Sequence, residues 1–244
     1  MICFLRLRLY PCHTFCPESM SSKFDSLHCI CGSRATGSML YHLYPSYKLI
    51  GIEDDNYAAL LETPYVPVTR EAPENCIYVS GLSKPLCPGL RIAYLYLPER
   101  FIAPMEQGLF SQNLKISSLN MEIATEIVHS GMDCQIIRKK QRAAAKRNQI
   151  YASCFPESRI CMASYYQWLT LPASCSGRLC EIELANRGIS VFGAERFFCG
   201  NTGGANALRI ATCSAENEGQ LREGLEGVNL FIRGWEKAGP VFIV

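Results

Sequence analysis

Short apolar runs, each stopped by glycine, proline or acidic residues, alternate along this chain with longer amphipathic stretches. That punctuation belongs to an α/β protein. Cys76-Ile-Tyr-Val79 is β-branched and aromatic and reads as a buried strand that stops at Ser80-Gly81. Leu49-Ile-Gly-Ile52 reads as another, ending in the acids Glu53, Asp54 and Asp55, and Arg91–Leu97 as a third. Ser117–His129 predicts a helix broken at Gly131, and Asp133 opens the next, with Ile136, Ile137 and Ala144 on its buried side. Farther on, Tyr165–Leu171 alternates like a strand, and Leu179–Arg187 is a short helix closed by Gly188. Ile189–Gly193 leads out as a strand. Ala207–Ala211 is an apolar run interrupted by Arg209. Glu216–Ile232 closes as an amphipathic helix with Leu221, Leu225, Val228 and Ile232 on one face.

Residues 1–48 break this rhythm. Met1–Tyr10 alternates leucine with Arg6 and Arg8, which suits a strand better than a signal peptide's apolar core. Residues 22–48 show no helical period and are interrupted by Gly32, Gly37 and Pro45. Cys12, Cys16, Cys29 and Cys31 with His13, His28 and His42 lack the paired spacing of a closed zinc site, so no metal is expected. Of 244 residues, 48% are hydrophobic and 19% charged, the balance of a globular protein rather than a disordered one. The net charge of +2 singles out no partner, and no run of about 18 apolar residues predicts a membrane span. The fourteen cysteines are dispersed, so we expect reduced, mostly buried thiols in a cytoplasmic protein.

Chemistry concentrates in Ser80-Gly-Leu-Ser83-Lys84-Pro-Leu-Cys-Pro-Gly-Leu-Arg91. Lys84 falls just past a strand's carboxyl end, where ligands bind in α/β sheets. A rigid Pro-Gly turn and an arginine follow it. Asp54 and Tyr57 end the preceding strand in a D-x-x-Y arrangement, and Asn206-Ala-Leu-Arg209 sets a charge inside an apolar run, where it needs a partner. Arg138-Lys-Lys-Gln-Arg142 with Lys146 and Arg147 makes a basic helical face. Such a face suits nucleic acid. It equally suits a solvated helix at the start of a small domain, which is our expectation.

The S-K-x-x-x-P-G-x-R segment, D-x-x-Y and N-x-x-R together resemble the fold-type I, class I/II aminotransferases, which depend on pyridoxal phosphate (PLP). The nearest pattern is that of aminoadipate/kynurenine aminotransferases and MocR-type regulators. The resemblance implies an α/β fold: part of a PLP-transferase large domain with a mostly parallel sheet over residues 49–130, then a smaller α+β domain over 131–244. By that resemblance Lys84 carries the cofactor as a Schiff base, and Arg91 holds its phosphate. Asp54 pairs with the pyridine nitrogen, Tyr57 bonds the phenolic oxygen, and Arg209 clamps the substrate carboxylate beside Asn206. Many relatives place Ser or Thr where Gly81 stands, so Ser80 or Ser83 would supply that hydroxyl.

Tyr10–Ser21 resembles faintly the family's proline-rich turn, with Cys16 where an asparagine belongs, Glu18 for the threonine and Ser19 for the glycine. Family members are much longer at the amino end, so the chain reads as amino-terminally truncated and is expected to bind PLP weakly. The implied activity is transfer of an amino group between an amino acid and a 2-oxo acid, in a biosynthetic role and as a homodimer. Two alternatives stand beside it. One is the PLP- or amino-acid-sensing effector part of a MocR/GntR-type transcriptional regulator, touching DNA only through a domain absent from this chain. The other is an inactive remnant, consistent with Cys16, Gly81 and the irregular residues 1–48.

Overall fold

The computed structural model describes residues 50–61, 67–112, 115–197 and 206–238. The expectations for residues 1–48, including the Cys16 turn, lie outside them. Among the described residues the chain divides into two compact units, the first running to Gln141 and the second starting at Arg142.

The first unit holds a three-stranded sheet in the order β1 (Gly51–Asp54), β2 (Cys76–Gly81), β3 (Ala93–Tyr96). β1 and β2 run parallel, pairing Gly51 with Cys76 and Asp54 with Val79. β2 and β3 run antiparallel, pairing Gly81 with Ala93. Loop length explains the difference. A parallel return needs a crossover of a dozen or more residues. The connection after β1 has that length and contains the one-turn helix α1 (Val68–Glu71), whereas residues 82–92 turn straight back. β1 continues past the expected Ile52 because Glu53 is not a solvated acid. Its Oε2 accepts from Thr69 N at 2.9 Å and from Thr69 Oγ1 at 2.8 Å.

Three helices follow. α2 (Glu99–Ser111) was not signalled by periodicity, since Pro104 and Gly108 interrupt it. α3 (Ser118–His129) begins one residue inside the predicted span, and Gly131, at φ 69°, separates it from α4 (Met132–Cys154). A residue with a Cβ would be strained at that angle. The division at Gln141/Arg142 falls inside α4.

In the second unit the central strand β6 (Ala207–Ile210) pairs antiparallel with β4 (Gln167–Thr170) on one side and β5 (Phe192–Gly193) on the other. α5 (Gly177–Ala185) starts at Ser176, whose hydroxyl accepts from Leu179 N. α6 (Glu218–Ala238) presents Leu221, Leu225 and Val228 to the core with Phe231, while Ile232 is half-buried. Tyr151, Leu184 and Leu208, almost wholly buried, centre that core. Asn148 is buried too. Its Nδ2 donates to the carbonyls of Met162 at 2.8 Å and Ser164 at 2.7 Å, and its Oδ1 accepts from Thr212 Oγ1 at 2.8 Å.

Candidate functional site

The carboxyl ends of β1 and β2 bring the first set of expected residues together. Three consecutive acids leave β1, and packing gives each a different task. Glu53 is bound to Thr69, and Asp55, 2% exposed, accepts from the Tyr78 hydroxyl at 2.6 Å. Asp54 remains half-buried at the strand's end, with Asn56 Nδ2 donating to its Oδ1. Burial pushes the Asp54 carboxyl up to about 6, against the lowering effect of the Asn56 bond and with a small further push from Asp55. Asn56 has room there only because residue 81 is glycine: a Cβ at Gly81 would strike Asn56 Oδ1. The departure at Gly81 therefore has a structural counterpart in the turn that follows β1.

Tyr57 opens the short turn Ala58–Leu60, and the Lys84 ammonium lies over its ring, 5.6 Å from the centroid. Lys84 itself sits three residues beyond β2, in a loop anchored on both sides. Leu82 N donates to Ile92 O at 2.9 Å, and Leu86 N and Cys87 N both turn back to Leu82 O. Leu86, Leu90 and Ile92 bury themselves with Ala124 of α3, joined by Leu82, Ile127 and Ile136. The loop's carbonyls are met by side chains from the helices: Asn120 Nδ2 reaches Leu90 O at 3.1 Å, and Lys140 Nζ reaches Lys84 O at 2.8 Å and Leu86 O at 2.7 Å. Next along α4, Gln141 Nε2 donates to the carbonyls of Leu60 and Leu61, both at 3.3 Å.

Arg91 closes the loop in the left-handed region at φ 55° and ψ 37°, alone among the described non-glycine residues in having a positive φ. Its side chain is exposed. Held strain of this kind gathers at functional sites. Ser80 pairs with Tyr94 near the end of β2, and Ser83 directly precedes Lys84; both are half-buried.

Arg209 and Asn206 belong to the second unit. Arg209 lies mid-strand opposite Trp168 and Phe192. Its guanidinium is walled by the rings of Tyr166 at 4.4 Å, Phe197 at 4.5 Å and Phe192 at 5.4 Å. The Asn206 side chain is occupied with the backbone of the turn around Cys175. Its Nδ2 donates to Pro172 O at 2.9 Å and to Cys175 O, and its Oδ1 accepts from Gly177 N at 3.1 Å. It holds the turn before α5.

The basic face of α4 is only partly solvated. Arg138 and Lys139 are exposed and Lys146 pairs with Glu218 at 2.8 Å, but Lys140 is half-buried in the Lys84 loop. Arg147 Nη1 donates to Thr212 O at 3.2 Å and Ala215 O at 2.8 Å. Lys140 and Gln141 were missed in sequence because their work is to bind backbone carbonyls far along the chain, and Asn56 because its room depends on Gly81. The leucines spaced at 82, 86 and 90 were the legible sign that the loop packs onto a helix. Of the eight described cysteines, Cys76, Cys154, Cys175 and Cys180 are buried and Cys87 and Cys134 exposed. Among the described residues no helix is long and apolar enough to cross a membrane.

No family model matches the chain. It is 30% identical over 190 residues to the uncharacterized HTH-type transcriptional regulator YdeF of Bacillus subtilis, covering 77% of this chain and 41% of that protein. It is 24% identical over 198 residues to the 2-aminoadipate transaminase of Thermus thermophilus, covering 76% and 49%. Among solved structures, the α-aminoadipate aminotransferase LysN of Thermus thermophilus, complexed with N-(5'-phosphopyridoxyl)-L-leucine, superposes with a TM-score of 0.73 at 19% identity, over 86% of this chain and 56% of that one. The kynurenine aminotransferase of Pyrococcus horikoshii gives 0.73 at 20% identity, over 84% and 52%. The chain thus spans about half the length of the relatives it matches, and its fold is theirs over that span.

Proposed function

We propose, on the premise of an aminotransferase fold and kinship with both transaminases and HTH-type regulators, that this chain carries a PLP site and serves amino-group transfer between an amino acid and a 2-oxo acid. The observation that carries the reading is the meeting of Asp54, Tyr57 and Lys84 at the carboxyl ends of two parallel strands, the Lys84 ammonium 5.6 Å from the Tyr57 ring centroid. The donor set fits that cofactor: an amine for its aldehyde, a carboxylate for its ring nitrogen and a guanidinium for its phosphate.

When bound, PLP supplies an electron sink for charge at the substrate's α-carbon. The rest is the protein's work. Lys84 Nζ anchors the cofactor and, once released, takes and returns the α-proton as general base and acid. Asp54, whose burial makes an isolated negative charge costly, gains a cationic partner in the ring N–H, which favours its carboxylate form. Tyr57 donates to the ring's phenolic oxygen, Ser80 or Ser83 supplies a hydroxyl, and Arg91 binds phosphate. Arg209, walled by three rings, orients the substrate carboxylate, and Asn206 supports it by fixing the adjoining turn. We place the protein in the cytoplasm, as a homodimer with a biosynthetic role.

A second reading is favoured by the 30% identity to an HTH-type regulator: the same site senses PLP or an amino acid as a regulator's effector part. One experiment separates them. Titration with PLP should raise a visible absorption band that Lys84→Ala lacks. Subsequent addition of an amino acid and 2-oxoglutarate should give turnover if the chain is an enzyme, and a spectral change without turnover if it is a sensor. No band with the unaltered chain would overturn both.

A further inference from the structure

Lys140 was expected on a solvated helical face, yet its ammonium is seated on the backbone of the residue that defines the site. It donates 2.8 Å to Lys84 O and 2.7 Å to Leu86 O, while Gln141 beside it holds the turn that follows Tyr57. We propose that Lys140 is the positioning residue of Lys84, clamping its loop by two charge-assisted hydrogen bonds that fix where the Lys84 amine stands over the Tyr57 ring. This rests on the reading of Lys84 as the anchoring lysine.

A cation on both carbonyls draws the backbone on either side of Pro85 onto α4, and such charge-assisted bonds hold a loop more firmly than neutral donors would. Burial lowers the Lys140 pKa and the Lys84 charge adds to that, while Cys87 acts in the opposite sense. Two carbonyls aimed at Lys140 keep its charge where it is, as a freely solvated lysine would not.

The test is borohydride trapping with PLP at constant pH, with the adduct yield at Lys84 read by peptide mass spectrometry. In Lys140→Met that yield should fall about five-fold. Lys140→Arg, which keeps charge and donors, should stay within two-fold of the unaltered chain, as should the exposed control Lys139→Met. Should Lys140→Met fail to fold, Lys140→Gln loses the charge but keeps an amide donor, and a fall in yield is again expected. An unchanged Lys84 adduct yield in the folded charge-free variants overturns the inference. Adduct spread over surface lysines in the unaltered chain sinks the anchoring assignment instead, and amide hydrogen exchange of the loop around Lys84, expected to quicken in Lys140→Met, still tests the clamp on its own.

Discussion

Asp54 is the residue whose environment most opposes its ordinary state. Its carboxyl is held at about 6 against an ordinary 3.8, so the folded chain keeps that proton more tightly than the unfolded one. The contribution to stability is therefore fully present below about pH 4 and is lost as pH rises through about 6. We expect Asp54→Asn to remove that slope and to stabilise the chain at pH 7 by about 1 kcal/mol, allowing for solvent around a half-buried group. Urea midpoints of both chains between pH 4 and 8 check it; parallel curves would mean that the carboxyl is not strained. Arg91 poses the same conflict in its backbone. At φ 55° it holds a conformation that glycine adopts without strain. Arg91→Gly should therefore cost no stability, and gain up to about 1 kcal/mol, while PLP affinity falls at least ten-fold. A thermal melt and a cofactor titration on the same sample read both. Lys84, Arg91, Asp54 and Tyr57 stood out in sequence by residue type and spacing, and the roles given to them are those we propose. Asn56 did not stand out, because its place depends on the hydrogen atom that Gly81 presents across the strands.

At the scale of elements, the strands and terminal helices could be read wherever burial imposes a period, as in α6 and in β2. Boundaries moved where polar groups found partners that composition does not announce. β1 runs on through Glu53 because Thr69 satisfies the acid, and Ile189–Gly193 shrinks to the two paired residues of β5. α4 shows the same limit most clearly. Its polar residues seemed to face solvent, yet Lys140, Gln141, Arg147 and Asn148 bind loop carbonyls. Asn148→Leu would leave the Thr212 hydroxyl and two carbonyls buried without their partner. It should cost about 2–4 kcal/mol, measured by chemical denaturation, with the helix content of the folded state unchanged. A cost below about 0.5 kcal/mol would show that water replaces the amide.

For the whole molecule, fold and site rest on different supports. Likeness to solved aminotransferases at a TM-score of 0.73 fixes the fold, and the strand order of the first unit follows from its loop lengths. The chemistry rests on residues, above all on Lys84. The most direct measurement incubates the chain with PLP, reduces it with borohydride and maps the pyridoxyl group by peptide mass spectrometry. The account predicts one dominant adduct on Lys84 and loss of most labelling in Lys84→Ala. Labelling distributed over the exposed lysines, and equal in total in Lys84→Ala, would contradict it.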